Sequence, residues 1–214
     1  MSRLAHLGRH LSKPSRTLLE RVFPLLRWFK PARERVVPGE FNDAVEREHV
    51  VRYMFAKQHC EGMTVADIAC GSGYGSEILR QVARRVDGYD REPLCGNFVI
   101  DLEKETWSQS YDVIVSFETI EHLANPDLFL RAASETCHTL LISTPIGEFK
   151  GYNPHHKQTW ELPEFRERLN RWFDYTVYYQ NGETISAEAP HNVTFVIALC
   201  RPKISARSRS TFAS

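Results

Sequence analysis

The chain has 214 residues, 42% of them hydrophobic, and its 27 Lys/Arg balance 27 Asp/Glu. That is enough apolar material for one sizeable core, while no apolar run approaches the roughly 20 residues that a membrane-spanning helix needs. Five cysteines without a CxxC pair argue against a disulfide framework and favour a reducing, cytoplasmic setting.

Charge is unevenly spread. Residues 1–35 carry nine Lys/Arg against two Glu, and residues 201–214 carry four basic residues and no acid. Removing these from the totals leaves 14 basic and 25 acidic residues in 36–200, a balance of −11. The expected division is a basic leader (1–37), one acidic domain (38–203) and a tail (204–214) whose Ser/Arg composition suits disorder. Within the leader, Leu18, Leu19, Val22, Phe23, Leu25, Leu26, Trp28 and Phe29 stand among arginines and are interrupted by Pro14, Pro24 and Pro31. Such a stretch packs on its own domain or makes a peripheral contact with an anionic surface through residues 1–35. Its first 19 residues lack acids, which also fits a transit peptide.

In the central domain helix and strand signals alternate, the pattern of a mostly parallel sheet with helices on both faces. Asp43 to His59 reads as an amphipathic helix. Val65 to Gly75 follows as V-A-D-I-A-C-G-S-G-Y-G, a short apolar strand with an acid, then a glycine-rich turn running into a helix over Tyr74 to Ala83. Glycines at 71, 73 and 75 allow positive φ and leave no Cβ in the way, so the backbone can approach a ligand at the helix start. A phosphate loop would end in Gly-Lys-Ser/Thr, and a dinucleotide fingerprint would place a third glycine where Ser76 stands. A second apolar strand, Val86 to Tyr89, ends in Asp90, about twenty residues downstream, where a carboxylate meets the hydroxyls of an adenosine ribose. Only seven residues separate Asp90 from Phe98, too few for a crossover helix, yet an extended link of that length reaches about 23 Å. The helix between the second and third strands is therefore expected to be missing, and the apolar leader is a candidate to cover the sheet face it leaves.

Further strands are expected over Tyr111 to Phe117 and Leu140 to Pro145, with a helix over Pro126 to Glu135 capped by Asn125. After a helix over Pro163 to Arg171, Phe173 to Gln180 and Asn192 to Cys200 read as a terminal antiparallel pair joined across Asn181-Gly182.

These ordered segments together resemble the class I S-adenosylmethionine-dependent methyltransferases over roughly residues 38–200. The resemblance implies a single Rossmann-like methyltransferase domain that binds S-adenosyl-L-methionine. It carries cofactor contacts onto Asp67, Ala69 (where glycine is commoner), Gly71, Gly73, Asp90, Asp101, Leu102 and Glu118. A narrower resemblance, in E-R-V-V-P-G-E-F (Glu34 to Phe41) and the E-H-V-V-R-Y-M-F-A that follows, is to small bacterial methyltransferases associated with glycan biosynthesis. It implies lid residues His49, Arg52 and Tyr53, with Arg52 either meeting the cofactor's carboxylate or merely solvating its helix.

A sulfonium is already a reactive methyl donor, so the protein must align the acceptor and, for a hydroxyl, take its proton. His122, in E-T-I-E-H after the fourth strand, is a candidate general base with Glu121 or Glu118 orienting it, or else a loop buttress. His156, in N-P-H-H-K-Q-T-W, is a further catalytic candidate, and His155 or His156 belongs to an acceptor loop. Glu118, Glu121, His122 and His156 also resemble the metal set of small-RNA 3′-end 2′-O-methyltransferases. Against a metal, N-P-x-H also occurs in the glycan-linked families, and a body of balance −11 disfavours nucleic acid. Phe149, Tyr152 and Trp160 form an acceptor wall or pack in the core. The expected activity is O-methylation of a glycan or other small polar acceptor. The alternatives are a metal-assisted RNA 2′-O-methyltransferase and a non-catalytic cofactor-binding subunit.

Overall fold

The computed structural model describes residues 43–93, 98–148 and 153–203. The expectations for the leader, the tail, Phe149 and Tyr152 lie outside them. Eight strands form one sheet: β1 (Thr64–Ile68), β2 (Arg85–Asp90), β3 (Phe98–Val99), β4 (Tyr111–Phe117), β5 (Cys137–Pro145), β6 (Phe173–Asn181), β7 (Thr184–Ser186) and β8 (Phe195–Pro202). Their order is β3-β2-β1-β4-β5-β8-β6-β7. The first five run parallel, and β8, β6 and β7 continue the sheet antiparallel.

The central strands are nearly continuous apolar runs because both faces are covered. Side chains alternate between two cores. Val65, Val113 and Val115 pack under α1 (Asp43–Lys57) and α2 (Tyr74–Arg80), whereas Ala66, Ile68 and Ile114 pack under α3 (Pro126–Thr136) and α4 (Leu162–Asn170). Trp160 is buried in the second core, edge-on to Phe165 and under the Arg168 guanidinium, which makes it an anchor for α4 and no part of an acceptor wall. No disulfide joins Cys60, Cys70, Cys137 and Cys200, all buried, and no helix among the described residues is long and apolar enough to cross a membrane.

Several boundaries move. β5 starts at Cys137, three residues before the expected Leu140, because α3 passes directly into it and Cys137 pairs with Tyr111. Asn125 precedes α3, but its side chain makes no capping bond; Pro126 in the first turn supplies the start signal. At α4 the reverse holds: Glu161 and Glu164 form a capping box that the sequence reading missed. Asn181-Gly182, with Gly182 at φ 57°, closes a tight turn into the extra strand β7.

Strand β3 pairs in parallel with β2 through Tyr89↔Phe98 and Asp90↔Val99, although only seven residues separate Asp90 from Phe98. The result is a two-residue edge strand whose Phe98 and Val99 are 49% and 59% exposed. The start of α1 lies at the other side of the sheet, where Arg47 pairs with Glu183 at 2.5 Å beside β7.

Candidate active site

The strand order reverses between β1 and β4, the topological switch point at which open α/β sheets bind ligands. A cleft of about 330 Å³ opens there. The chain leaves β1 through Ala69 (φ 61°), Gly71 (φ 58°) and Gly73 (φ 82°), and α2 starts directly afterwards. Left-handed backbone at 71 and 73 is what the sequence anticipated. Gly75 differs: its φ is not positive, and a Cβ there would fall inside the ring of Tyr53 on α1. The third glycine therefore serves helix packing and not ligand approach.

Of the nine residues expected at the cofactor, six line the cleft: Ala69, Gly71, Asp90, Asp101, Leu102 and Glu118. Asp67, Gly73 and Arg52 stand behind it. Asp67 is fully buried and accepts hydrogen bonds from Tyr53 Oη (3.0 Å) and Ser76 Oγ (2.6 Å), tying β1 to both α1 and α2. Burial pushes its carboxyl up to about 6 despite those donors. Asp90 accepts the Gly71 N–H at 2.9 Å and the Glu92 N–H at 3.1 Å, so its carboxylate is oriented before any ligand arrives. Asp101 is held below the usual carboxylate range by Lys104 and accepts the Glu103 N–H at 3.1 Å, which shapes the loop after β3. A cradle without Cβ atoms beside a preset carboxylate fits an adenosyl group.

Arg52 is only 1% exposed and points inward. It pairs with Glu118, donates to Gln180 Oε1 at 2.7 Å and lies 4.3 Å over the Phe195 ring, and burial pulls its guanidinium down to about 10. The lid residues that do reach the cleft are His49 and Tyr53, joined by Tyr74, whose hydroxyl bonds His49 Nδ1. Burial keeps the His49 imidazole well below its ordinary pKa.

At the far wall a single 3-10 turn, Ile120–His122, follows Glu118. The Glu121 carbonyl accepts the N–H groups of Lys157 (2.8 Å) and Gln158 (2.9 Å), which draws the 153–158 segment against the turn. His122 and His156 consequently face each other, ring centres 4.8 Å apart and nearly perpendicular. His122 Nδ1 lies 3.2 Å from the His155 carbonyl, so a backbone oxygen, and not Glu121, orients it. With Nδ1 donating, Nε2 carries the lone pair. His156 Nδ1 meets Glu148 Oε2 at 2.6 Å. Glu121 is 1% exposed: Oε2 accepts from Thr144 Oγ1 at 3.1 Å, Oε1 has no hydrogen-bond partner, and burial pushes the carboxyl up to about 8. Glu121, His122 and His156 each offer a ligand atom within 4.8 Å of the others, whereas Glu118 stays with Arg52 and His49. His155 and Asn153 also line the cleft. Thr144, Glu148 and Gln180 were missed in the sequence; only S-T-P at the end of β5 pointed toward one of them.

A mostly parallel Rossmann-like sheet with this glycine turn and strand-end acid at its switch point defines an enzyme of the S-adenosylmethionine-dependent methyltransferase class. The chain belongs to the methyltransferase domain family, whose model matches residues 40–181. It is 29% identical over 158 residues to a probable S-adenosylmethionine-dependent methyltransferase of Mycolicibacterium smegmatis, covering 64% of this chain and 62% of that protein. Over 93 residues it is 31% identical to a ubiquinone biosynthesis O-methyltransferase of Azorhizobium caulinodans, covering 35% of this chain and 36% of that protein. The chain thus spans less than two thirds of these relatives. Among solved structures, small RNA methyltransferase HEN1 matches with a TM-score of 0.60 at 20% identity, over 82% of this chain and 27% of that one. The 1,6-didemethyltoxoflavin-N1-methyltransferase of Burkholderia thailandensis, bound to S-adenosylhomocysteine, matches at 0.59 and 12%, over 75% and 80%. At these identities the likeness is one of fold. The cofactor is S-adenosyl-L-methionine.

Proposed function

We propose that this methyltransferase acts on a hydroxyl oxygen of a small polar acceptor such as a glycan. The observation that carries this reading is the opposition, across one cleft, of an adenosyl cradle and a His122/His156 wall, with Glu121 buried behind the two imidazoles. When bound, S-adenosylmethionine supplies a methyl group on a sulfonium. Asp90 would accept hydrogen bonds from the ribose hydroxyls, the backbone at Ala69 to Gly71 and the residues Ile100 to Leu102 would hold the adenosyl group, and Glu118 would meet the cationic end of the cofactor. His122 takes the acceptor's proton at Nε2 while the His155 carbonyl holds Nδ1–H. The ubiquinone biosynthesis relative, named for transfer to oxygen, supports the choice of oxygen over nitrogen.

A second reading rests on Glu121 Oε1, a buried carboxylate oxygen with no hydrogen-bond partner beside two imidazoles. A divalent cation such as Mg²⁺ or Mn²⁺ held there would bind the acceptor hydroxyl and lower its pKa. Titration calorimetry with S-adenosylhomocysteine tests the cofactor half: Asp90→Ala should weaken binding by about 1.5 to 3 kcal/mol, and no binding by the wild type would refute the enzyme reading. Transfer to a panel of sugar and phenol acceptors tests the rest. Loss of turnover in His122→Ala with cofactor affinity intact supports the base, and inhibition by EDTA reversed by Mn²⁺ selects the metal.

A further inference from the structure

Glu118 has a backbone conformation that few non-glycine residues adopt, φ 50°, immediately after β4. Such strain persists only where the surroundings over-determine it. Its N–H is shared between the carbonyl (3.3 Å) and hydroxyl (3.2 Å) of Ser143, and its carboxylate is paired with Arg52. Arg52 is buried while the Glu118 side chain is 29% exposed at the cleft, and taking the guanidinium out of water makes the pair a poor stabiliser compared with apolar packing, so it calls for another explanation.

The explanation lies in what holds Arg52. Gln180, at the end of β6, is fully buried. Its amide nitrogen donates to the carbonyls of Glu48 (2.9 Å) and Gly182 (2.8 Å), which uses both amide hydrogens and leaves Oε1 as the atom presented to Arg52. The carboxamide therefore has no flipped alternative. The Gln180 carbonyl accepts the N–H (3.0 Å) and the hydroxyl (3.1 Å) of Thr194, fixing the strand to the residue before Phe195. One end of the Arg52 guanidinium is thus held by Gln180 and its face by Phe195, while its other end reaches Glu118 at the cleft.

We infer that Gln180, with Phe195 beside it, is a positioning residue for cofactor binding: it sets Arg52, and Arg52 sets the Glu118 carboxylate in the cleft. The terminal antiparallel strands, which contribute no residue to the cleft lining, thereby govern the cofactor pocket through one arginine. The inference rests on the proposed role of Glu118 toward the cofactor.

The test is S-adenosylhomocysteine affinity by calorimetry, with melting temperature measured in parallel, in a double-mutant cycle. Glu118→Gln should weaken binding roughly ten- to hundredfold, as loss of a charged hydrogen bond does. Gln180→Met, of similar shape but without the acceptor, should weaken it about tenfold in the wild-type background and not further in Glu118→Gln. An equal loss in both backgrounds, or no loss in Gln180→Met when Glu118→Gln binds weakly, overturns the inference. Unchanged binding in Glu118→Gln itself overturns the role of Glu118, and the inference with it. Should Gln180→Met fail to fold, Phe195→Leu leaves every polar partner of Arg52 in place and is judged by the same background dependence.

Discussion

Replacing Gly75 by alanine separates what the helix alone prefers from what the packing allows. In an isolated helix the change is favourable by about 0.8 to 1 kcal/mol. Here the new Cβ falls inside the ring of Tyr53, which is 3% exposed and cannot yield cheaply. That ring stands edge-on to Phe117 (5.2 Å between centres) and Tyr74 (5.8 Å), and its hydroxyl donates to buried Asp67 at 3.0 Å. Displacing it forfeits a hydrogen bond to a carboxyl, about 1.5 to 3 kcal/mol, and aromatic contacts of about 0.5 to 1.5 kcal/mol each. Set against the propensity gain, the expected net loss is about 1.5 to 5 kcal/mol. Urea unfolding followed by circular dichroism reads it as a lower midpoint at unchanged slope. In a Tyr53→Leu background the same alanine should cost far less, since the obstructing ring is gone. A Gly75→Ala protein as stable as the wild type would refute the account of this glycine.

Three further outcomes follow from the same geometry. Ala69→Gly relieves a left-handed backbone at φ 61° and should stabilise by up to about 1 kcal/mol in the same unfolding assay, the flexibility of glycine offsetting part of the relief. Asp67 has its folded pKa raised from 3.8 to about 6, so the stability it contributes is fully present below 3.8 and is lost as pH rises through about 6. Comparing Asp67→Asn with the wild type across that window should show the two stability curves diverging by on the order of 2 to 3 kcal/mol, and parallel curves would contradict it. If the leader covers the sheet face left without a helix beside β3, deleting residues 1–30 lowers the melting temperature; an unchanged melting temperature removes that role.

The left-handed β1 turn, the place of Asp90 at the cleft and the short link that pairs β3 with β2 were legible because each is a local matter of spacing and backbone freedom. Two glycines had to turn left-handed, and seven residues cannot hold a crossover helix. Roles set by distant neighbours were not legible. Asp67 and Arg52 look like ligand contacts in sequence, yet Tyr53 and Ser76 claim the first, and Gln180 with Phe195 claims the second. His122 and His156 were both named, but their approach depends on backbone bonds from Lys157 and Gln158 to Glu121, which no residue type announces.

The position of β8 bears on how the molecule comes into being. The last strand of the sheet lies between β5 and β6, bonded to both. During synthesis the β6–β7 hairpin leaves the ribosome before the strand that joins it to the parallel half, and Arg52 is without its aromatic platform until Phe195 follows. The parallel half can collapse early, but the sheet closes only when the last strand arrives, a non-local step of the kind that slows folding. A nascent chain halted just short of residue 195 would expose an unpaired edge on β5 and leave Arg52 without the Phe195 ring.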